Sequence, residues 1–135
     1  MQQEKFIIAS KMDKTPLSVL MVTPDGAPKG LVQFSHGMAE HKERYLRVMC
    51  LLAAEGYASI IHDHRGHGES VRAQEDLGYF YPAGADGVTA DLAQVNALLR
   101  RRFFVLGASL DKAALGILQS YACKTGRNYA FGRLW

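Results

Sequence analysis

The chain has 135 residues, of which 48% are hydrophobic and 21% charged, and its formal net charge is +3. These values fit one globular domain over residues 1–135 with a real core, and they exclude a chain disordered throughout. No apolar run approaches the ~20 residues of a membrane span, the N-terminus lacks a signal peptide's apolar core, and the basic residues lack the interleaved aromatics of a nucleic-acid binder. The expectation is therefore a cytoplasmic protein with no transmembrane segment and no nucleic-acid partner.

Glu4 to Ser10 and Leu17 to Thr23 read as two strands joined by a short turn through Pro16, which suits an antiparallel start. Gly30 to Ser35 is a third strand and stops at His36-Gly37. From Tyr45 to Ala53 apolar residues recur at helical spacing, and Gly56 takes the position after the helix that glycine suits. Ala58 to Asp63 is a fourth strand, far enough from the third for a parallel crossover. Gln74 to Gly87 reads as a loop with three aromatics. Val88 to Arg102 reads as a helix, with Arg100, Arg101 and Arg102 as its solvated end. Phe103 to Leu106 then reads as a strand, Ser109 to Lys124 as a helix, and Tyr129 to Trp135 as a last short strand. No turn separates Arg102 from Phe103, although a helix-to-strand junction normally has one. Cys50 and Cys123 form no CxxC, and Cys50 sits in the apolar helical pattern as a small hydrophobe.

Three stretches carry chemistry. In Ser35-His36-Gly37-Met38 a strand ends in a sharp turn, after which a backbone N–H can face a site as one oxyanion donor. In His62-Asp63-His64-Arg65-Gly66-His67-Gly68-Glu69-Ser70 a buried strand opens into charge and glycine. Asp63 and Arg65 can pair there, and Gly66 and Gly68 let the backbone bend twice. In Gly107-Ala108-Ser109-Leu110-Asp111 a serine sits between an expected strand and an expected helix, the context of a nucleophile elbow and equally of a helix N-cap. A metal reading competes: His62, His64 and His67 with Asp63 could ligate a divalent ion and make a metal-dependent hydrolase. A non-catalytic binding module that keeps the fold's pocket is a third reading.

Taken together, His36-Gly37-Met38-Ala39-Glu40-His41 with Arg44-Tyr45, Gly56-Tyr57, Asp63-His64-Arg65-Gly66-His67-Gly68-Glu69-Ser70 and Asp91-Leu92 resemble the α/β-hydrolase superfamily. The branch is that of monoacylglycerol lipases and lysophospholipases, the serine aminopeptidase S33-like group. The resemblance covers roughly residues 5 to 100. It implies an α/β fold whose N-terminal half, a mostly parallel sheet flanked by helices, is present here. It also implies hydrolysis of a lipid ester without a cofactor or metal. It places Ser109 at the nucleophile position and the N–H groups of Met38 and Leu110 at the oxyanion hole. His36, Gly37, Asp63, Arg65, Gly66, His67 and Gly68 fall in the supporting loops.

The sequence departs from the family at Ala108, where the elbow usually has histidine, and at Asp111, where it has glycine. The family's triad runs serine, acid, histidine along the chain, yet all five histidines lie at or before His67. The expectation is a truncated hydrolase, a fragment or the product of a reading frame disrupted near Arg102. It would be inactive alone and inclined to self-associate through an incomplete sheet.

Overall fold

The elements are β1 (Gln2–Ala9), β2 (Pro16–Thr23), β3 (Gly30–Ser35), α1 (Leu46–Ala54), β4 (Tyr57–His62), α2 (Gly84–Val105) and β5 (Leu115–Gln119). They come from a computed structural model that describes residues 1–105 and 115–119. The strands make one sheet in the order β1-β2-β4-β3-β5. β1 pairs antiparallel with β2, and β2 antiparallel with β4. β3 runs parallel to β4 and to β5, with Leu31 beside Ala58 and Leu115. The antiparallel start and the parallel β3–α1–β4 crossover follow the sequence reading.

β2 and β4 are near-continuous apolar runs because both of their faces are covered. On one face Leu20, Val22, Phe34 and Ile61 pack with Met49 and Ala53 of α1. On the other, Val19, Met21, Leu31, Ala58 and Ile60 pack with Val95, Leu99 and Phe103 of α2. β3 thus leads to a helix on one face, and its neighbour β4 to a helix on the other. The crevice outside the carboxyl ends of two such strands is where open α/β sheets bind ligands. The His36-Gly37 turn and the Asp63–Ser70 loop open there.

Three expected elements differ. The helix expected over Val88–Arg102 runs from Gly84 to Val105, so the strand expected from Phe103 is instead the last turn of α2. Val95, Leu99 and Phe103 are spaced four apart and buried in one cluster, so Phe103 extends the helix's apolar stripe. Gly87 does not end the loop. A Cβ there would come within 2.4 Å of the Arg65 guanidinium carbon, so the glycine makes a notch in α2 that receives Arg65. The helix expected over Ser109–Lys124 meets β5 at Leu115–Gln119, a strand held by its parallel pairing with β3. The strand expected over Tyr129–Trp135 lies outside the described residues.

Candidate active site

Two buried ion networks hold the loop after β4, and they separate residues the sequence pairs. Asp63 does not pair with Arg65. Its carboxylate accepts hydrogen bonds from the Lys42 ammonium at 2.7 Å, the Lys42 backbone N–H at 2.7 Å and the Glu69 N–H at 2.9 Å. Lys42 is fully buried just before α1, and its ammonium also meets Glu43 and Glu69. Burial alone would lower the Lys42 pKa, but bonds to the three carboxylates outweigh it and hold the group above its ordinary value. These carboxylates are the one cluster among the described residues with metal-ligand spacing, and the Lys42 ammonium already bonds to all three.

Arg65 points toward α2. Its Nε donates to Asp91 at 2.8 Å, Nη1 to Asp13 at 2.9 Å and Nη2 to the Ser10 hydroxyl at 3.1 Å. Ser10 in turn donates to Asp91. One guanidinium therefore ties the β1–β2 turn, the β4 loop and α2 together. Gly66 has φ +75°, and a Cβ there would lie 2.4 Å from the Tyr79 carbonyl oxygen; Gly68 has φ +49°, and its Cβ would lie 2.3 Å from the Asp63 carboxylate. Both bends require glycine.

The imidazoles around the turn have separate tasks. The His64 backbone N–H donates to Nε2 of His36 at 2.9 Å, so that nitrogen carries no proton. The ring's proton is on Nδ1, which donates to the Gly37 carbonyl at 2.8 Å. Burial lowers the pKa of His36 and favours this neutral form. In a planar trans peptide the C=O and N–H point in opposite directions. Holding the Gly37 carbonyl against His36 therefore turns the Met38 N–H away from it. The Met38 side chain is 81% exposed, so little packing constrains the turn. His67 donates from Nε2 to the Met38 carbonyl at 2.6 Å and stacks on Phe80 at 5.7 Å between ring centroids.

His62, His64 and His67 do not gather around one point. The His64 and His67 rings are 6.4 Å apart, and His62 meets His64 edge-on at 5.1 Å. His64 Nε2 is 3.0 Å from the Ser35 hydroxyl. That contact joins serine and histidine but is no catalytic dyad: Ser35 is 1% and His64 9% exposed, and among the described residues His64 Nδ1 has no partner to orient it. Burial, then the neighbouring His36 and His67, bring the His64 pKa down to about 4. His62 is fully buried, both ring nitrogens lack a hydrogen-bond partner among the described residues, and burial pushes its pKa well down.

The structure thus brings together His36, Gly37, Met38, Asp63, Arg65, Gly66, His67 and Gly68 at the ends of β3 and β4. Ser109 and Leu110 lie outside the described residues. Sequence reasoning missed Lys42 and Asp13, and read Glu69 only as part of the loop motif. Nothing in a lysine beside a glutamate marks it as buried, and only the fold brings Lys42 and Asp13 to the loop. A groove of about 480 Å³ lined by Phe6, Met21, Leu98 and Arg102, among others, shares no residue with this site.

The sheet order, the helices on both faces and the turn beyond β3 define a part of an α/β-hydrolase fold. Solved structures agree. A thermostable carboxyl esterase from Bacillus coagulans superposes with a TM-score of 0.66 at 25% identity, covering 87% of this chain and 36% of the esterase. A soluble variant of monoglyceride lipase from Saccharomyces cerevisiae gives a TM-score of 0.70 at 19% identity, covering 88% of this chain and 35% of that one. The family described as serine aminopeptidase, S33 matches residues 26–110, and the chain belongs to this family of hydrolases. A monoacylglycerol lipase of Mycolicibacterium smegmatis is 48% identical over 48 residues, which are 36% of this chain and 17% of the lipase. Human monoglyceride lipase is 43% identical over 47 residues, 35% of this chain and 16% of the human protein. The chain therefore matches only a small part of these relatives' length. No helix among the described residues is long and apolar enough to cross a membrane.

Proposed function

We propose that residues 1–135 form one unit of a serine hydrolase that cleaves carboxylic esters of the monoacylglycerol or lysophospholipid kind. Ser109 is the nucleophile position, and the N–H groups of Met38 and Leu110 are the oxyanion donors. In that reaction the serine oxygen bonds to the acyl carbon while a histidine takes the serine's proton. The two N–H groups hold the tetrahedral oxyanion, and the alcohol leaves with the proton. Water then repeats the sequence on the acyl-enzyme. The observation that carries this reading is the His36-Gly37 turn at the crevice between β3 and β4, with its carbonyl held and its next N–H turned away. The kinship with monoacylglycerol lipases supports the ester class.

Residues 1–135 by themselves lack the base, because no histidine follows Ser109. Loss of a triad member costs several orders of magnitude in rate. The expected result with short-chain p-nitrophenyl esters is turnover near background, unchanged by Ser109→Ala. Robust turnover abolished by Ser109→Ala would overturn the proposed inactivity. The encoding nucleotide sequence tests the wider reading: an acid and a histidine in register downstream of Ser109, in any frame, support it, and their absence from every frame removes it. Self-association through an incomplete sheet belongs to the same reading, and light scattering showing only monomer would exclude it.

A further inference from the structure

We propose that His67 is a positioning residue that sets the direction of the Met38 N–H by clamping the carbonyl that follows it. The inference rests on the assignment of that N–H as an oxyanion donor, and it adds a residue from the neighbouring strand's loop to that site. Along the turn, the Gly37 N–H donates to Glu40 at 3.0 Å, the Gly37 carbonyl accepts from His36 at 2.8 Å, and the Met38 carbonyl accepts from His67 at 2.6 Å. The Gly37 carbonyl also accepts from the Glu40 N–H at 3.3 Å, and among the described residues neither the Met38 N–H nor the Ala39 N–H has an acceptor. A peptide plane pinned at its carbonyl can still rotate with its neighbour about the intervening dihedrals. Pinning the next carbonyl as well removes that freedom and leaves the Met38 N–H free to face a ligand.

His67 suits the task because it is itself fixed from several sides. Its ring lies on Phe80 with planes 23° apart, and the loop that carries it is tied down on both sides. The Gly66 N–H donates to Ser70 at 2.9 Å, and the Gly66 carbonyl accepts from Gly78 at 2.7 Å. Arg65 is anchored to Asp91 on α2. A continuous set of contacts therefore runs from α2 through the β4 loop to the turn after β3. With the Met38 side chain in solvent, hydrogen bonds rather than packing define the turn, so losing one donor has a local effect.

The experiment uses the whole 135-residue chain, isotope-labelled, and reads NMR signals that need no catalysis. His67→Phe keeps an aromatic ring for Phe80 and removes the donor; His67→Gln returns an N–H donor near the position of Nε2. The expected result for His67→Phe is an upfield displacement of the Met38 carbonyl carbon and a moved Met38 amide. Exchange of the Gly37 amide should rise about fivefold, the population change that loss of one ordinary hydrogen bond carries. The His64 amide, held by His36, should stay in place, and His67→Gln should restore the Met38 carbonyl signal. A folded His67→Phe variant with an unmoved Met38 carbonyl would overturn the proposal, as would a Gln variant indistinguishable from Phe. Should the Phe variant not fold, the unsubstituted chain still decides: its imidazole nitrogen spectrum must place a proton on His67 Nε2, and a bare Nε2 refutes the clamp. Failure of the ester-hydrolase reading would leave all these signals as described, so the two failures are distinguishable.

Discussion

Asp63→Asn removes one charge and keeps the shape of the side chain, so its cost reports what the buried carboxylate does. The wild-type oxygens face only donors: one accepts the Lys42 N–H, the other accepts the Lys42 ammonium and the Glu69 N–H. Whichever way an asparagine amide turns, its NH₂ must face one of those donors. Turned toward the Lys42 N–H it loses one hydrogen bond; turned the other way it loses two and opposes an ammonium. The pair it breaks has no exposure on either side chain. Breaking such a pair typically costs ~3–5 kcal/mol, because the surviving charge stays buried. Here the Lys42 ammonium keeps Glu43 at 2.7 Å and Glu69 at 2.9 Å, so the expected loss is at the lower end, ~3 kcal/mol, or roughly 10 °C in Tm. Urea unfolding followed by far-UV circular dichroism measures it. Lys42→Met should then cost less in the Asp63→Asn background than in the wild type, since it removes the stranded ammonium. A loss below ~1 kcal/mol for Asp63→Asn, or strict additivity of the two substitutions, would refute the view that this pair anchors the β4 loop.

Stability should fall as pH drops from about 6.5 to about 4. His64 has an ordinary value of 6.5 and a folded-state value of about 4, so in that window the unfolded chain takes up a proton the folded chain refuses. The contribution of His64 is up to ~3 kcal/mol, with His36 and His62 shifted in the same direction. A urea midpoint at pH 5 equal to or above that at pH 7.5 would contradict this. Below the ordinary value of 4.5, Glu43 and Glu69, both held at about 2 in the folded chain, extend the decline toward acid. Gly66→Ala should destabilise by more than ~2 kcal/mol, since it adds a backbone collision to a left-handed dihedral. Gly26→Ala, at φ +79° in open space, should cost only the ~1–2 kcal/mol of the dihedral itself. Equal midpoints for the two variants in the same unfolding assay would show that the Tyr79 contact does not constrain the loop.

Most of the frame up to Asp63 was legible because it rests on short-range signals. Apolar runs stopped by Pro16, Gly26, Gly37 and Gly56 delimit β1 to β4 and α1, and the crossover between Ser35 and Tyr57 has the length a parallel pair needs. The elements around the second helix were less legible because distant residues decide them. Gly87 looks like a breaker until Arg65, 22 positions earlier, is seen to fill the space where its side chain would be. Phe103-Phe104-Val105 has strand composition, yet Phe103 continues the stripe of Val95 and Leu99. Asp63 and Arg65 are two apart and of opposite charge, but the first turns toward Lys42 before α1 and the second toward Asp91 in α2. Within the site, the His36-Gly37 turn announced itself by its residues. The tautomer of His36 and the reach of His67 across to Met38 depend on ring positions that no spacing rule encodes.

Among the described residues, the hydrogen bonds that shape the turn after β3 come from His36 and Glu40 and from the loop after β4. That loop is in turn tied to α2 by Arg65 and Asp91. A shift of α2 along the sheet would therefore reach the turn through one guanidinium and one imidazole, so the helix and the turn are set as a unit.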